Sequence, residues 1–320
     1  MYLPSLRDLA IGSTGLVRLN SLCPSGRLFL KLESSNPTGS LKDRTAYYLV
    51  EDAIRRANSN DFAIVESTSG NLGLGLQYAA SQLGIKVHAI VDPTIPKSKK
   101  VRMENAGITV SVVDQNEYPD FRTARIARAR MMESTGQFLW TNQYANEAGL
   151  LAHFETTGPE IWRQTGGSVD AVVCSVGTGG TICGIGRALK EKNPEVEIYA
   201  VEPEGSTIFG GYSGKYITAG AGLLGPSELI LRHGSIIDYF SHVSDGAALS
   251  RCRQCVKSEG LSVGITAGAA LEVGLHLARS NQDSVVVVIA PDSGVNYVEY
   301  IDSEAGVVVE ACVRIVPLQS

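Results

Sequence analysis

The pattern that most constrains this chain is an alternation. Short apolar, β-branched runs ("DFAIVES", "KVHAIVD", "DAVVCSV", "VEIYAVEPEG" and "DSVVVVIAPDSG") each end in a turn carrying Gly, Ser or Pro. Three of them lead through their turns into segments of helical pattern, "LGLQYAASQLG", "KSKKVRMENAG" and "ICGIGRALKEKN". A strand buried on both faces reads as a continuous apolar run, without the alternation of a half-wet strand. Repeated strand–loop–helix units close as right-handed βαβ crossovers, so mainly parallel sheets are predicted. In such sheets ligands bind beyond the carboxyl ends of the strands, and the loops there carry the information.

The length of 320 residues suggests two domains. The pattern is interrupted at 141–149 ("TNQYANEAG"), the candidate break. Net charge is −5 with no block of like charges, which argues against nucleic acid or an anionic membrane as partner. Charges interrupt the apolar stretches of the first 20 residues, and no run is long enough to span a membrane, so a cytoplasmic location is expected. Six cysteines make no disulfide framework. Cys252 and Cys255 form a CxxC with no second pair at zinc spacing, so no metal site is expected and they read as two cysteines on one helix. The five histidines are scattered and none joins a serine or cysteine motif, so a hydrolase triad has little support.

Three loops carry chemistry. In "SVGTGGTICG" a strand feeds Gly177, Thr178, Gly179, Gly180 and Thr181 before a helix begins. Glycines let backbone N–H groups turn inward without Cβ obstruction, and a helix N-terminus adds positive potential. That makes a cup for a phosphate dianion, lacking both the Lys-[Ser/Thr] of an ATP loop and dinucleotide spacing. The same glycines also suit a tight strand–helix turn. In "STSGNLG", Thr68, Ser69, Gly70 and Asn71 offer hydroxyls, an amide and backbone donors suited to a carboxylate. An ordinary N-cap gives the same letters. In "NPTGSLKDR", Lys42 sits where a turn becomes a helix. The dipole disfavours a cation there, and with burial the same field makes an amine nucleophilic toward carbonyls. A surface lysine paired to Asp43 is the plain alternative. Together, phosphate cup, carboxylate loop and lysine are what pyridoxal phosphate and an amino acid require.

In that order "NPTGSLKDR", "TSGNLG", "VGTGGT" and "PDSG" resemble the fold-type II pyridoxal-phosphate enzymes, in the branch of cysteine synthase and cystathionine β-synthase. The resemblance runs from about Thr14 to about Asp302. It implies an α/β fold, tryptophan synthase β-like. Two three-layer αβα domains with mainly parallel sheets would hold the cofactor in the cleft between them. Residues 40–146 would form a smaller mobile domain with the substrate-carboxylate loop. Residues 1–39 plus 147–320 would form a larger one with the phosphate loop. It further implies a homodimer, amino-acid substrates, and neither nucleic acid nor membrane as partner. Lys42 would form the Schiff base and move the α-proton, and Asn71 would bond the cofactor's ring oxygen. Gly177, Thr178, Gly179, Gly180 and Thr181 would hold its phosphate. Ser293 would face the ring nitrogen, where a hydroxyl in place of a carboxylate favours β-elimination through an aminoacrylate. Thr68, Ser69, Gly70 and Gln143 would grip the substrate carboxylate.

Within the branch, Ser175 before the phosphate loop, Tyr144 after Gln143 and Leu72 after Asn71 depart from cysteine synthase. They resemble N-(2-amino-2-carboxyethyl)-L-glutamate synthase, the 2,3-diaminopropionate branch of siderophore biosynthesis. That resemblance implies O-phospho-L-serine and L-glutamate as substrates. Ser175 and Tyr144 would orient an anionic substrate, with Arg122 and Arg125, on one helical face, reading the second anionic group. Alternatives are cysteine synthase with sulfide, a serine or threonine dehydratase, and a catalytically weak pyridoxal-phosphate protein that binds a partner.

Overall fold

The structure is a computed structural model and describes residues 2–58, 61–68, 70–114, 118, 120–218, 220–302 and 313–318. Its strands, in chain order, are β1 (Leu16–Arg18), β2 (Arg27–Leu32), β3 (Ala63–Ser67), β4 (Lys86–Val91), β5 (Thr109–Val112), β6 (Phe138–Trp140), β7 (Ala171–Ser175), β8 (Glu197–Pro203), β9 (Tyr239–Val243), β10 (Val285–Ala290) and β11 (Val316–Pro317). They form a four-stranded sheet ordered β5-β4-β3-β6 and a seven-stranded sheet ordered β1-β2-β10-β7-β8-β9-β11. All pairings are parallel except β1 with β2 and β11 with β9 at the edges of the larger sheet. The mainly parallel α/β architecture predicted from the alternating runs is therefore present, and each of the five runs is a strand.

The chain folds as two compact units: residues 1–12, 36–38 and 42–152 make the first, and 13–35, 39–41 and 153–320 the second. These limits differ from the expected 40–146 and 1–39 plus 147–320. Leu9 and Ile11 pack with Tyr47, which brings the N-terminal residues to the first unit. Residues 148–152 form a helix packed on the helix that starts at Lys42, so the first unit runs past the break expected at 141–149.

In the first unit the sheet carries α1 (Lys42–Arg56), α2 (Asn71–Ser81), α3 (Lys97–Asn105), α4 (Phe121–Glu133) and α5 (Ala148–Ala152). Neighbouring residues of β3 point into different cores, as the period of a strand requires. Ile64 joins Leu49, Val50 and Leu76 of α1 and α2, whereas Val65 joins Ala124, Ala129 and Met132 of α4. Covered on both faces, the sheet makes the middle of three layers.

In the second unit are α6 (Gly158–Gln164), α7 (Gly180–Lys190), α8 (Glu228–His233), α9 (Asp245–Glu259), α10 (Ile265–Ser280) and α11 (Val298–Ile301). All six residues of β10 are buried, and its alternate residues Val286 and Val288 join Val173, Val201 and Leu271 in the core beneath α9 and α10. Among the described residues no helix is long and apolar enough to cross a membrane. Cys252 and Cys255 lie buried on α9, as the helical reading of the CxxC expects.

Candidate active site

In the first unit the candidate residues gather around β3 and the first turns of α1 and α2. Lys42 is the first residue of α1 and is half-buried. The turn before it is closed by Asp43, whose carboxylate accepts the Thr38 backbone N–H at 2.7 Å and the Thr38 hydroxyl. α2 lies hard against that turn: a Cβ on Gly75 would come within 3.0 Å of the Lys42 carbonyl oxygen. The glycine thus brings the helix that begins with Asn71 onto the helix that begins with Lys42. Gly70 is the N-cap of α2 and no side chain caps the helix, the state in which first-turn N–H groups serve an anion. Thr68 is buried just after β3, and Ser69 lies outside the described residues.

Gln143 is buried, and its side-chain amide donates to the Ser67 carbonyl at 2.9 Å, so the structure joins it to the β3–α2 loop. Tyr144 is buried beside it, and the Arg122 guanidinium lies 5.3 Å from its ring centroid. Arg122 and Arg125 sit one helical turn apart on α4 but have different partners, because Arg125 pairs with Asp92 at 3.2 Å. That pair ties α4 to the end of β4, whereas Arg122 shares the surroundings of Gln143 and Tyr144.

In the second unit the glycine loop follows β7 and opens α7. Gly179, the N-cap of α7, has φ of +88°, and again no side chain caps the helix. A Cβ there would fall 2.5 Å from Ile230 Cδ1, so backbone and packing both demand glycine. The loop is buttressed from below. Ser227 Oγ donates to the Thr178 carbonyl at 2.6 Å. Thr181 Oγ1 lies 3.2 Å from His153 Nε2, whose Nδ1 is 2.9 Å from Thr157 Oγ1. An uncapped helix start with no Cβ at its cap, backed by hydroxyl and imidazole groups, fits a phosphate dianion.

Ser293 follows β10, the strand parallel to β7 in the same sheet, so it and the glycine loop share one carboxyl edge. Its Oγ accepts from the Val295 N–H at 3.3 Å. Leu41, the residue before Lys42, donates its N–H to the Pro291 carbonyl at 2.9 Å. Ser175 is committed otherwise than expected for a substrate hydroxyl, since its Oγ donates to the Thr266 carbonyl at 2.7 Å and joins β7 to α10.

A family model described as "Pyridoxal-phosphate dependent enzyme" matches residues 7–292, a span that contains Lys42, the carboxylate loop and the glycine loop. The chain belongs to this family. Members depend on pyridoxal phosphate, and the protein is a pyridoxal-phosphate-dependent enzyme. Among similar solved structures is isoform 3 of O-acetyl serine sulfhydrylase from Entamoeba histolytica, 30% identical, covering 96% of this chain and 94% of its own, with a TM-score of 0.85. A hydrogen sulfide-producing enzyme from Fusobacterium nucleatum is 30% identical over 93% of this chain and 98% of its own, TM-score 0.84. An O-ureido-L-serine synthase is 28% identical over 95% and 96%, TM-score 0.86.

Two buried residues beside these loops, one in each unit, escaped the sequence. Glu66 is fully buried in β3 and accepts four hydrogen bonds. An acid inside an apolar parallel strand was the available signal. His153 is fully buried under the glycine loop. Nothing in its neighbourhood along the chain separates it from the other histidines.

Proposed function

We propose that the protein catalyses β-replacement on an O-activated L-serine, joining O-phospho-L-serine to L-glutamate to give N-(2-amino-2-carboxyethyl)-L-glutamate and phosphate. The supporting observation is the Arg122 guanidinium against the Tyr144 ring, beside Gln143. A positive charge next to a carboxylate-gripping glutamine suits a substrate with a second anionic group.

Bound pyridoxal phosphate supplies the electron sink that acidifies the substrate Cα–H and allows departure of a group from Cβ. In this reading Lys42 holds the cofactor through its amine and, once released, takes the Cα proton at Nζ. Gly177, Thr178, Gly179, Gly180 and Thr181 bind the phosphate through N–H and hydroxyl donors. Asn71 bonds the ring oxygen, and Ser293 faces the ring nitrogen with a neutral hydroxyl. Thr68, Ser69, Gly70 and Gln143 hold the α-carboxylate, and Arg122 with Tyr144 orients the anionic side chain. Arg125, paired to Asp92, holds α4 in place. The active form is a homodimer.

A second reading is cysteine synthase, favoured by the likeness to the E. histolytica O-acetyl serine sulfhydrylase. The test crosses O-phospho-L-serine and O-acetyl-L-serine with L-glutamate and sulfide, and identifies products by mass. The glutamate adduct from phosphoserine is expected, and Lys42→Ala should lose both product and the visible absorption of the lysine-linked cofactor. Cysteine alone would replace the reading with the second one. A keto acid formed without any nucleophile would point to a dehydratase, and no turnover with cofactor bound to a partner-binding role.

A further inference from the structure

Glu66 is an ionisable side chain with no exposure, in a strand whose preceding buried positions, Ile64 and Val65, are apolar. A packing role alone would be met more cheaply by an apolar residue, since a buried charge is costly unless hydrogen-bonded throughout. Its four donors are all uncharged. Oε1 accepts the Ser67 N–H at 2.7 Å and the Trp140 indole N–H at 3.3 Å. Oε2 accepts the Thr141 hydroxyl at 2.6 Å and the Gln143 backbone N–H at 3.1 Å. These donors flank the two segments assigned to the substrate carboxylate. Ser67 opens the β3–α2 loop, and 141–143 leads out of β6.

The location explains why a side chain is used. β3 and β6 pair in parallel up to Val65 with Trp140, and the last bond across that seam is Thr141 N–H to the Val65 carbonyl at 3.3 Å. Beyond it the segment leaving β6 turns through Asn142, at φ of +47°, and the β3–β6 register ends. The Glu66 carboxylate continues the seam for two more residues, and Gln143 Nε2 closes it on the Ser67 carbonyl.

We infer that Glu66 is a positioning residue for substrate binding, its carboxylate fixing Gln143 relative to the β3–α2 loop and hence the grip on the amino acid's α-carboxylate. This rests on the role assigned above to Gln143 and that loop.

Glu66→Gln keeps the shape and isolates the effect. The new NH2 cannot sit at Oε1, where both neighbours are obligate donors. At Oε2 the Thr141 hydroxyl can rotate to accept, but the Gln143 N–H is opposed. The variant therefore breaks the Gln143 bond selectively. The experiment titrates holoenzyme with O-phospho-L-serine and O-acetyl-L-serine and follows the cofactor's absorption change. Glu66→Gln is expected to bind either amino acid on the order of tenfold more weakly, the scale of one hydrogen bond to a charged group, with unchanged cofactor content. In a Gln143→Ala background the further loss should nearly vanish, because both changes act through one side chain. Thr141→Val, which keeps the carboxylate, should weaken binding in the same direction by less, and it serves if Glu66→Gln does not fold. Wild-type affinity in Glu66→Gln, additive losses in the double variant, or wild-type affinity in Thr141→Val as the only folded variant would each overturn the inference. No absorption change in the unaltered enzyme with either amino acid would instead bring down the proposed function beneath it.

Discussion

Gly179→Ala tests the glycine loop in one substitution. Residue 179 has φ of +88°, where a Cβ costs about 1–2 kcal/mol. The added Cβ would also lie 2.5 and 2.6 Å from Ile230 Cδ1 and Cγ1. Displacing a packed isoleucine adds about 1–3 kcal/mol. The sum is about 2–5 kcal/mol, or a melting temperature lower by roughly 5–15 °C for a unit of this size. The two contributions are separable. Measured against Ile230→Ala, which removes the obstructing atoms, the same glycine change should cost only the backbone part of about 1–2 kcal/mol. Thermal unfolding of the four proteins without cofactor gives the cycle, and equilibrium binding of pyridoxal phosphate gives the second readout. Affinity should fall in Gly179→Ala, because the strained cap turns the α7 N–H groups away from the anion. A melting temperature within about 2 °C of the unaltered protein, with unchanged cofactor affinity, would refute the strain assigned to this cap.

Two further expectations concern groups outside these loops. His242 Nε2 lies 2.9 Å from Glu202 Oε1, bent from the line of a good hydrogen bond, and the carboxylate holds the imidazole above its ordinary value of 6.5. Because the folded value is raised, this stabilisation is complete below 6.5 and is lost as pH rises through the higher folded value. His242→Gln should flatten that part of the stability profile, measured by denaturation across pH, and an unaltered slope would count against it. Burial pushes the Cys252 and Cys255 thiols up to about 12, so a thiol reagent at mildly alkaline pH should label neither until the protein unfolds. Rapid labelling of the native protein, located by peptide mass, would contradict their burial on α9.

Legibility followed range. The strands β3, β4, β7, β8 and β10 were readable because a strand buried on both faces writes itself as one apolar run, and the helices after three of them begin where glycine, hydroxyl or proline residues end the run. Lys42 at the start of α1 and the uncapped starts of α2 and α7 are local facts too, fixed by adjacent residues. The unit boundaries were not readable, because Leu9 and Ile11 choose their side by packing on Tyr47, far along the chain.

Which partner each polar group takes belongs to the tertiary structure alone. Arg122 and Arg125 are equivalent by spacing, yet one stacks on Tyr144 and the other pairs with Asp92. Ser175 precedes the glycine loop in sequence, yet its proton goes to Thr266, on another element. Glu66 gains its meaning only when Trp140, Thr141 and Gln143 arrive from β6. Periodicity and turn chemistry are properties of neighbours along the chain, and they determine elements and the donors at their ends. Hydrogen bonds between distant segments exist only after the sheets have set a register, and that register decides what each side chain does.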